Sequence, residues 1–189
     1  MPPKPKIKKE DIVNAAADVI RESGASGLNA RAVAKKLSCS TQPVFSNFSS
    51  MKELENAVID LANRDFFMRI TGSKDENKYP HYKVIGMEYI RFAIEEPEIY
   101  KFLFMRDRMG DNERKDAFSD VMPKVISTIQ NALNISKADA ERLHFEMWVF
   151  VHGIASMCVT SYLKLSDEQI SGLLTDIYDG LRLKYCNKE

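Results

Sequence analysis

The stretch LNARAVAKKLSCSTQPVFSNF, residues 28–48, packs two short helical patterns around one tight connection. Asn29 is placed to cap the first helix, with Ala32, Val33 and Leu37 on its inner face and Arg31, Lys35 and Lys36 outside. Ser38 and Cys39 form the turn. Ser40 is read as the cap of the second helix, and Pro43 falls in its first turn, where the missing N–H costs no helical hydrogen bond. Val44 and Phe48 give that helix an inner edge and leave Thr41, Gln42, Phe45, Ser46 and Asn47 on its other side. Short polar groups and one ring on such a surface suit contact with a groove. The pattern predicts a helix-turn-helix.

The surrounding sequence supports it. A helix is expected from about Lys8 to Ser23, with Ile12, Ala15, Ala16, Val19 and Ile20 at helical spacing and Gly24 as its stop. After Phe48, Ser49 and Ser50 can cap a fourth helix from Met51 to about Ile70, carrying Leu54, Val58, Leu61 and Ala62. Residues 1–6 are rich in Pro and Lys and read as an extended basic arm, fit for a phosphate or the minor groove or serving only as a solubilising tail.

The whole chain has 189 residues, 44% of them hydrophobic, which is enough to bury a core. With 8 Gly, 7 Pro and almost no alternating β-branched runs, an all-α fold is expected, of about nine helices. Beyond a polar loop at residues 72–80, helices are predicted at about 81–95, 98–108, 113–133, 137–163 and from 166 onward, with Pro123 breaking or kinking the third of these. No apolar run is long enough to span a bilayer and the start lacks a signal peptide's apolar region, so a cytoplasmic protein with no membrane partner is expected. Cys39, Cys158 and Cys186 are widely spaced and read as reduced thiols.

The formal net charge is +0, but it is unevenly distributed. Residues 1–52 hold nine Lys/Arg against four Asp/Glu, and the remainder is acidic by the same margin. The basic end coincides with the helix-turn-helix, as phosphate binding requires.

Residues 7–61 resemble the DNA-binding domain of the TetR/AcrR family of transcriptional repressors. The match runs through Ile12, Ala15, Ala16 and Gly24, then Asn29, Arg31, Val33 and Ala34, then Ser40, Val44, Phe45 and Phe48, with Leu54 as the anchor of helix four. Phe45 stands where the family usually has a tyrosine, Asn47 where histidine is frequent, Gln42 where glycine is frequent, and Met51 where a lysine opens helix four. The string WVFVHG at residues 148–153 also looks like the Trp/His-Gly element of one group of TetR-type carboxy-terminal domains.

The resemblance implies a helix-turn-helix domain at residues 1–50 and a larger helical effector-binding and dimerisation domain at 51–189. It implies a homodimeric repressor on a palindromic double-stranded DNA operator. Thr41, Gln42, Pro43 and Ser46 would approach base edges. Lys8, Arg31, Ser40, Asn47 and Lys52 would hold phosphates, with Asn29 and Phe45 part of the same surface.

The last two helices carry more than one apolar face, which calls for more than one partner. Val151, Ala155, Ile170, Leu174, Ile177 and Leu181 are the residues expected at a dimer seam, and Gly153, Ala155 and Ser156 permit close backbone approach. The middle of the chain is rich in aromatic residues and Met, which suits an adaptable pocket for a largely apolar effector as well as a plain core. Phe66, Tyr89, Phe92, Phe102, Met105, Met122, Trp148 and His152 are the effector candidates.

His144, Trp148 and His152 lie four apart on one stripe, but no carboxylate or Cys accompanies them at ligand spacing. No metal or cofactor is therefore expected. Catalytic motifs are also lacking, so no enzyme is expected. A DNA-binding protein without an effector, and a helical carrier or enzyme with a vestigial amino-terminal domain, remain open as alternatives.

Overall fold

The structure is a computed structural model that describes residues 7–73, 78–106 and 121–187. Among these residues there are nine α-helices and no strand. The helices are α1 (Lys9–Ser23), α2 (Ala30–Lys36), α3 (Gln42–Asn47), α4 (Met51–Thr71), α5 (His81–Glu95), α6 (Pro97–Phe104), α7 (Met122–Leu133), α8 (Lys137–Val159) and α9 (Asp167–Cys186). A 3-10 turn, Ala25–Gly27, joins α1 to α2. None of the described helices is long and apolar enough to cross a membrane.

The chain divides into two compact units. One runs to Phe66 and takes in the stretch that begins at Glu96; the other runs from Phe67 to Glu95 and takes in the carboxy-terminal helices. This division differs from a boundary after residue 50. In the first unit, α4 sinks Leu54 and Val58 completely, and α6 packs on α1 while burying Ile99, Tyr100, Phe102 and Leu103. Arg21 of α1 also donates to Glu96 at 3.0 Å. Such packing depends on contacts remote in sequence, so composition along the chain does not mark it.

Within this unit, α1 buries Ile12, Ala15, Ala16, Val19 and Ile20, the stripe that the sequence predicts. Gly24 then turns the chain at φ 70°, and a Cβ there would lie 3.0 Å from Glu98 Oε2. Asn29 caps α2 by accepting from the Ala32 N–H at 2.9 Å. Two bonds close the other end of α2: Ser38 N–H to Lys35 O at 3.1 Å and Cys39 N–H to Ala34 O at 3.0 Å. This is a Schellman closure with Ser38, at φ 51°, in the place where glycine is commonest.

The residue before α3 is Thr41, not Ser40, and its carbonyl receives the Val44 and Phe45 N–H groups. The helix thus begins one residue later than the Ser40 cap implies, with Pro43 still in its first turn. At the start of α4, Ser50 Oγ accepts from the Glu53 N–H, and Glu53 reaches back to the Ser49 N–H at 2.7 Å.

In the second unit α5 packs against both α8 and α9. Gly86 permits this, since a Cβ there would meet Leu174 Cδ1 at 3.2 Å and Val151 Cγ2 at 3.5 Å. Pro123 occupies the first turn of α7, which starts at Met122. The polar turn and helix start expected at 110–120 lie outside the described residues. Helix α8 stops at Val159, before the predicted 163, because Ser161 enters the left-handed region at φ 59° and the Tyr162 N–H turns back to Met157 O. Ser136 and Ser166 cap α8 and α9 as the sequence predicts.

Candidate functional site

The helix-turn-helix rests on Val33, Ala34, Val44 and Phe48, all buried. Lys9 lies 4.6 Å from the centroid of the Phe48 ring and pairs with Glu53 at 3.2 Å, which ties α1 to the entry of α4. Arg31, Lys35, Ser40, Gln42, Phe45, Ser46 and Lys52 are exposed, and Thr41, Pro43 and Asn47 are half-buried. Lys8 is exposed at the foot of α1. Two of the expected contact groups are already engaged along α3: Ser46 Oγ donates to Gln42 O, and Asn47 Nδ2 donates to Pro43 O, both at 2.8 Å. Asn29 spends its side-chain oxygen on the α2 cap and its amide on Gly27 O at 3.0 Å. Lys36 pairs with Glu22, and Lys52 with Glu55 at 3.4 Å. Arg31, Lys35, Ser40 and Gln42 are exposed polar groups on this surface.

The expected effector residues fall into both units. Phe66 and Phe102 are buried in the first, where Phe66 meets Phe104 edge-on at 6.0 Å, and Met105 is exposed there. Tyr89 and Phe92 are buried in the second, and Met122 and His152 are half-buried. Trp148 is 44% exposed and stacks on His152 at 5.3 Å, so its place is on the surface of α8 and not in a core.

Two tyrosine–histidine pairs join α5 to α8. Tyr82 Oη lies 3.0 Å from His144 Nδ1, and Tyr89 Oη lies 2.9 Å from His152 Nδ1. Burial holds both imidazoles below their ordinary value of 6.5, and it pushes the Tyr82 phenol up. Neutral imidazoles as acceptors of phenolic O–H groups fit that environment.

A cleft of about 410 Å³ in the second unit is polar, lined by Met68, Arg69, Gly72, Ser73, Glu88, Arg91 and Glu95. Its centre is the buried carboxylate of Glu88. Arg69 Nε donates to it at 2.8 Å, an Arg91 guanidinium nitrogen at 2.7 Å and Ser73 Oγ at 3.1 Å. Each arginine also reaches an exposed carboxylate, Arg69 that of Glu95 and Arg91 that of Asp167. These pairs hold Arg69 above its usual pKa despite burial and hold Asp167 below its own, through the Arg91 hydrogen bond. The cluster was not foreseen from sequence. Its signal was a carboxylate one turn from Val84 on a buried face, with Arg91 three residues on.

The expected seam residues Val151, Ala155, Ile170, Leu174 and Leu181 are buried within the single chain, and Ile177 is half-buried. They pack the second unit itself. The apolar surface left open on α8 comprises Phe145, Trp148, Val149 and Met157, which recur at helical spacing on one face. Gly153 lies on the same face. A Cβ added there, or at Gly172 or Gly180 of α9, would meet nothing among the described residues within 4 Å. Leu173 and Leu183 of α9 are exposed as well.

An amino-terminal helix-turn-helix followed by a larger helical unit is the architecture of a class of DNA-binding regulators. A family model described as the tetracyclin repressor-like carboxy-terminal domain matches residues 83–180, more than half the chain. The chain belongs to this family of TetR-type transcriptional regulators. Solved structures share the fold at low identity. A TetR-like transcriptional regulator from Rhodococcus sp. RHA1 has a TM-score of 0.65 at 15% identity, covering 90% of this chain and 92% of its own. A protein of unknown function from the same organism gives 0.72 at 17%, covering 99% and 100%. A TetR regulator from Streptomyces coelicolor gives 0.65 at 14%, covering 95% and 99%. No curated protein matches by sequence.

Replacing Glu88 by Ala leaves two arginines facing an emptied buried position and should cost about 3 kcal/mol in urea unfolding. Glu95→Ala, at an exposed position, should cost less than about 1 kcal/mol. Equal losses would show that the buried carboxylate does not hold the cluster. The histidines make a separate prediction. Because their folded pKa values lie below 6.5, the unfolded chain takes up their protons first. The stability from the neutral imidazoles is complete above that pH and is lost as pH falls through the lowered folded values. Urea midpoints should drop from neutral to mildly acidic pH, less steeply in His144→Asn; an unchanged slope would contradict the buried-imidazole account.

Proposed function

We propose that this protein is a homodimeric repressor that binds a palindromic DNA operator and is released by a small, largely apolar effector. The observation that carries the reading is the exposed face of α3, with Gln42 and Phe45 turned outward on a helix whose other edge is locked by Val44 and Phe48. A rigid short helix in the basic end of the chain suits the major groove. Gln42 is assigned to a base edge, together with Thr41, Pro43 and Ser46. Lys8, Arg31, Ser40, Asn47, Lys52 and the N–H groups at the start of α4 are assigned to phosphates.

Two-fold pairing is proposed through the open face of α8 and its neighbour α9. Phe145, Trp148, Val149 and Met157 supply the apolar area, and Gly153, Gly172 and Gly180 leave room for a second copy. Pairing of this kind sets two recognition helices at a fixed spacing, so that their base contacts add.

For release, the effector is proposed to enter the second unit by parting α5 and α8, which the Tyr82–His144 and Tyr89–His152 pairs hold together. A shift of α5 would reach the end of α4 through the Glu88–Arg69 ion pair, and α4 begins in the unit that carries the helix-turn-helix. The effector lowers operator affinity only in so far as it binds the released conformation better.

Binding measured by fluorescence anisotropy over a salt series tests the DNA assignment. Gln42→Ala should cost about 1–3 kcal/mol on the operator and relax one position, whereas Lys52→Ala should weaken all sequences alike and flatten the salt slope by about one unit. If Gln42→Ala binds operator and random DNA as the wild type does, the base contact is misassigned. For the dimer, the wild type should sediment as two copies at micromolar concentration, and Trp148→Glu should shift it to one. A compact wild-type monomer would sink that proposal.

A further inference from the structure

We infer that Phe45 reads the 5-methyl group of a thymine in each half of the bound DNA, making it a determinant of sequence specificity. The inference rests on the proposed DNA-binding function and extends it to a named base. Phe45 is 57% exposed on α3, a six-residue helix with its own apolar edge already filled by Val44 and Phe48. The ring therefore contributes little to the fold.

Its neighbours sharpen the point. Ser46 and Asn47 turn their donors back onto the α3 backbone, so the outward face consists mainly of Gln42 and the Phe45 ring. A phenyl ring has no group that can hydrogen-bond a phosphate oxygen, and packing it on the charged backbone would desolvate that backbone with no bond in return. On the floor of the major groove the most prominent apolar group is the thymine 5-methyl, set among the donors and acceptors of the base edges. A groove-facing ring on a helix of this kind has that methyl as its chemically matched partner.

The test uses the full-length protein. Duplexes retained from a random pool define the site, and each thymine is then replaced by deoxyuridine, which removes the methyl and keeps the pairing edge. One thymine per half-site should weaken wild-type binding about fourfold when replaced, the worth of one buried methyl group. Phe45→Ala should bind the thymine duplex more weakly and lose that sensitivity, and Phe45→Leu, which stays apolar, should retain it in part. Circular dichroism confirms that the variants keep their helix content.

If no thymine shows a methyl effect that depends on residue 45, or if Phe45→Ala weakens random DNA as much as the selected site, the ring packs on sugars or elsewhere and the inference falls. If no duplex is retained at all, the DNA-binding function falls, and this inference with it. Retention of a site without methyl dependence overturns only the present point.

Discussion

The carboxylate of Glu88 is buried among packed helices, and the second unit is arranged to meet it with hydrogen-bond donors. An isolated buried carboxylate is costly, so its oxygens must be met by donors of matching charge. Arg69 from α4, Arg91 from α5 and Ser73 from the turn after α4 meet them, and Asp167 at the start of α9 meets Arg91 from the far side. Three helices are thereby registered to one another by directional bonds. Apolar packing between the same helices would hold them together but would tolerate sliding.

That registration bears on how a regulator of this fold can respond. The carboxy-terminal end of α4 is held by an ion pair, whereas α5 and α8 pack closely and add two tyrosine–histidine hydrogen bonds. Gly86 brings α5 close to α8 and α9, so that interface has little slack. A tight interface coupled to a polar tether transmits small displacements better than a loose one does.

Much of the first unit was legible in the chain. Ile12, Ala15, Ala16, Val19 and Ile20 lie at helical spacing, Asn29 announces a cap, and Val44 with Phe48 marks an inner edge; all of these are local signals. The Ser40 cap was missed by one residue, because either Ser40 or Thr41 has the right chemistry and only the backbone bonds to the Thr41 carbonyl distinguish them. Pro123 poses a related choice. A proline is compatible with a helix start as well as with a break, and the choice depends on where the preceding chain comes from.

The site residues divide the same way. Sequence by itself determined the all-helical class, the helix-turn-helix, the basic end and the family resemblance, since each rests on periodicity, caps or residue type over short spans. Only the tertiary structure decided that Val151, Ala155, Ile170, Leu174 and Leu181 fill the chain's own core while Phe145, Trp148, Val149 and Met157 face outward. An apolar stripe on a helix states that something covers it, not which neighbour does. Likewise Glu88 reads as one more surface carboxylate until α4 delivers Arg69 to its side and α9 brings Asp167 to the far side of Arg91, because burial is a property of the assembled helices and not of any one of them.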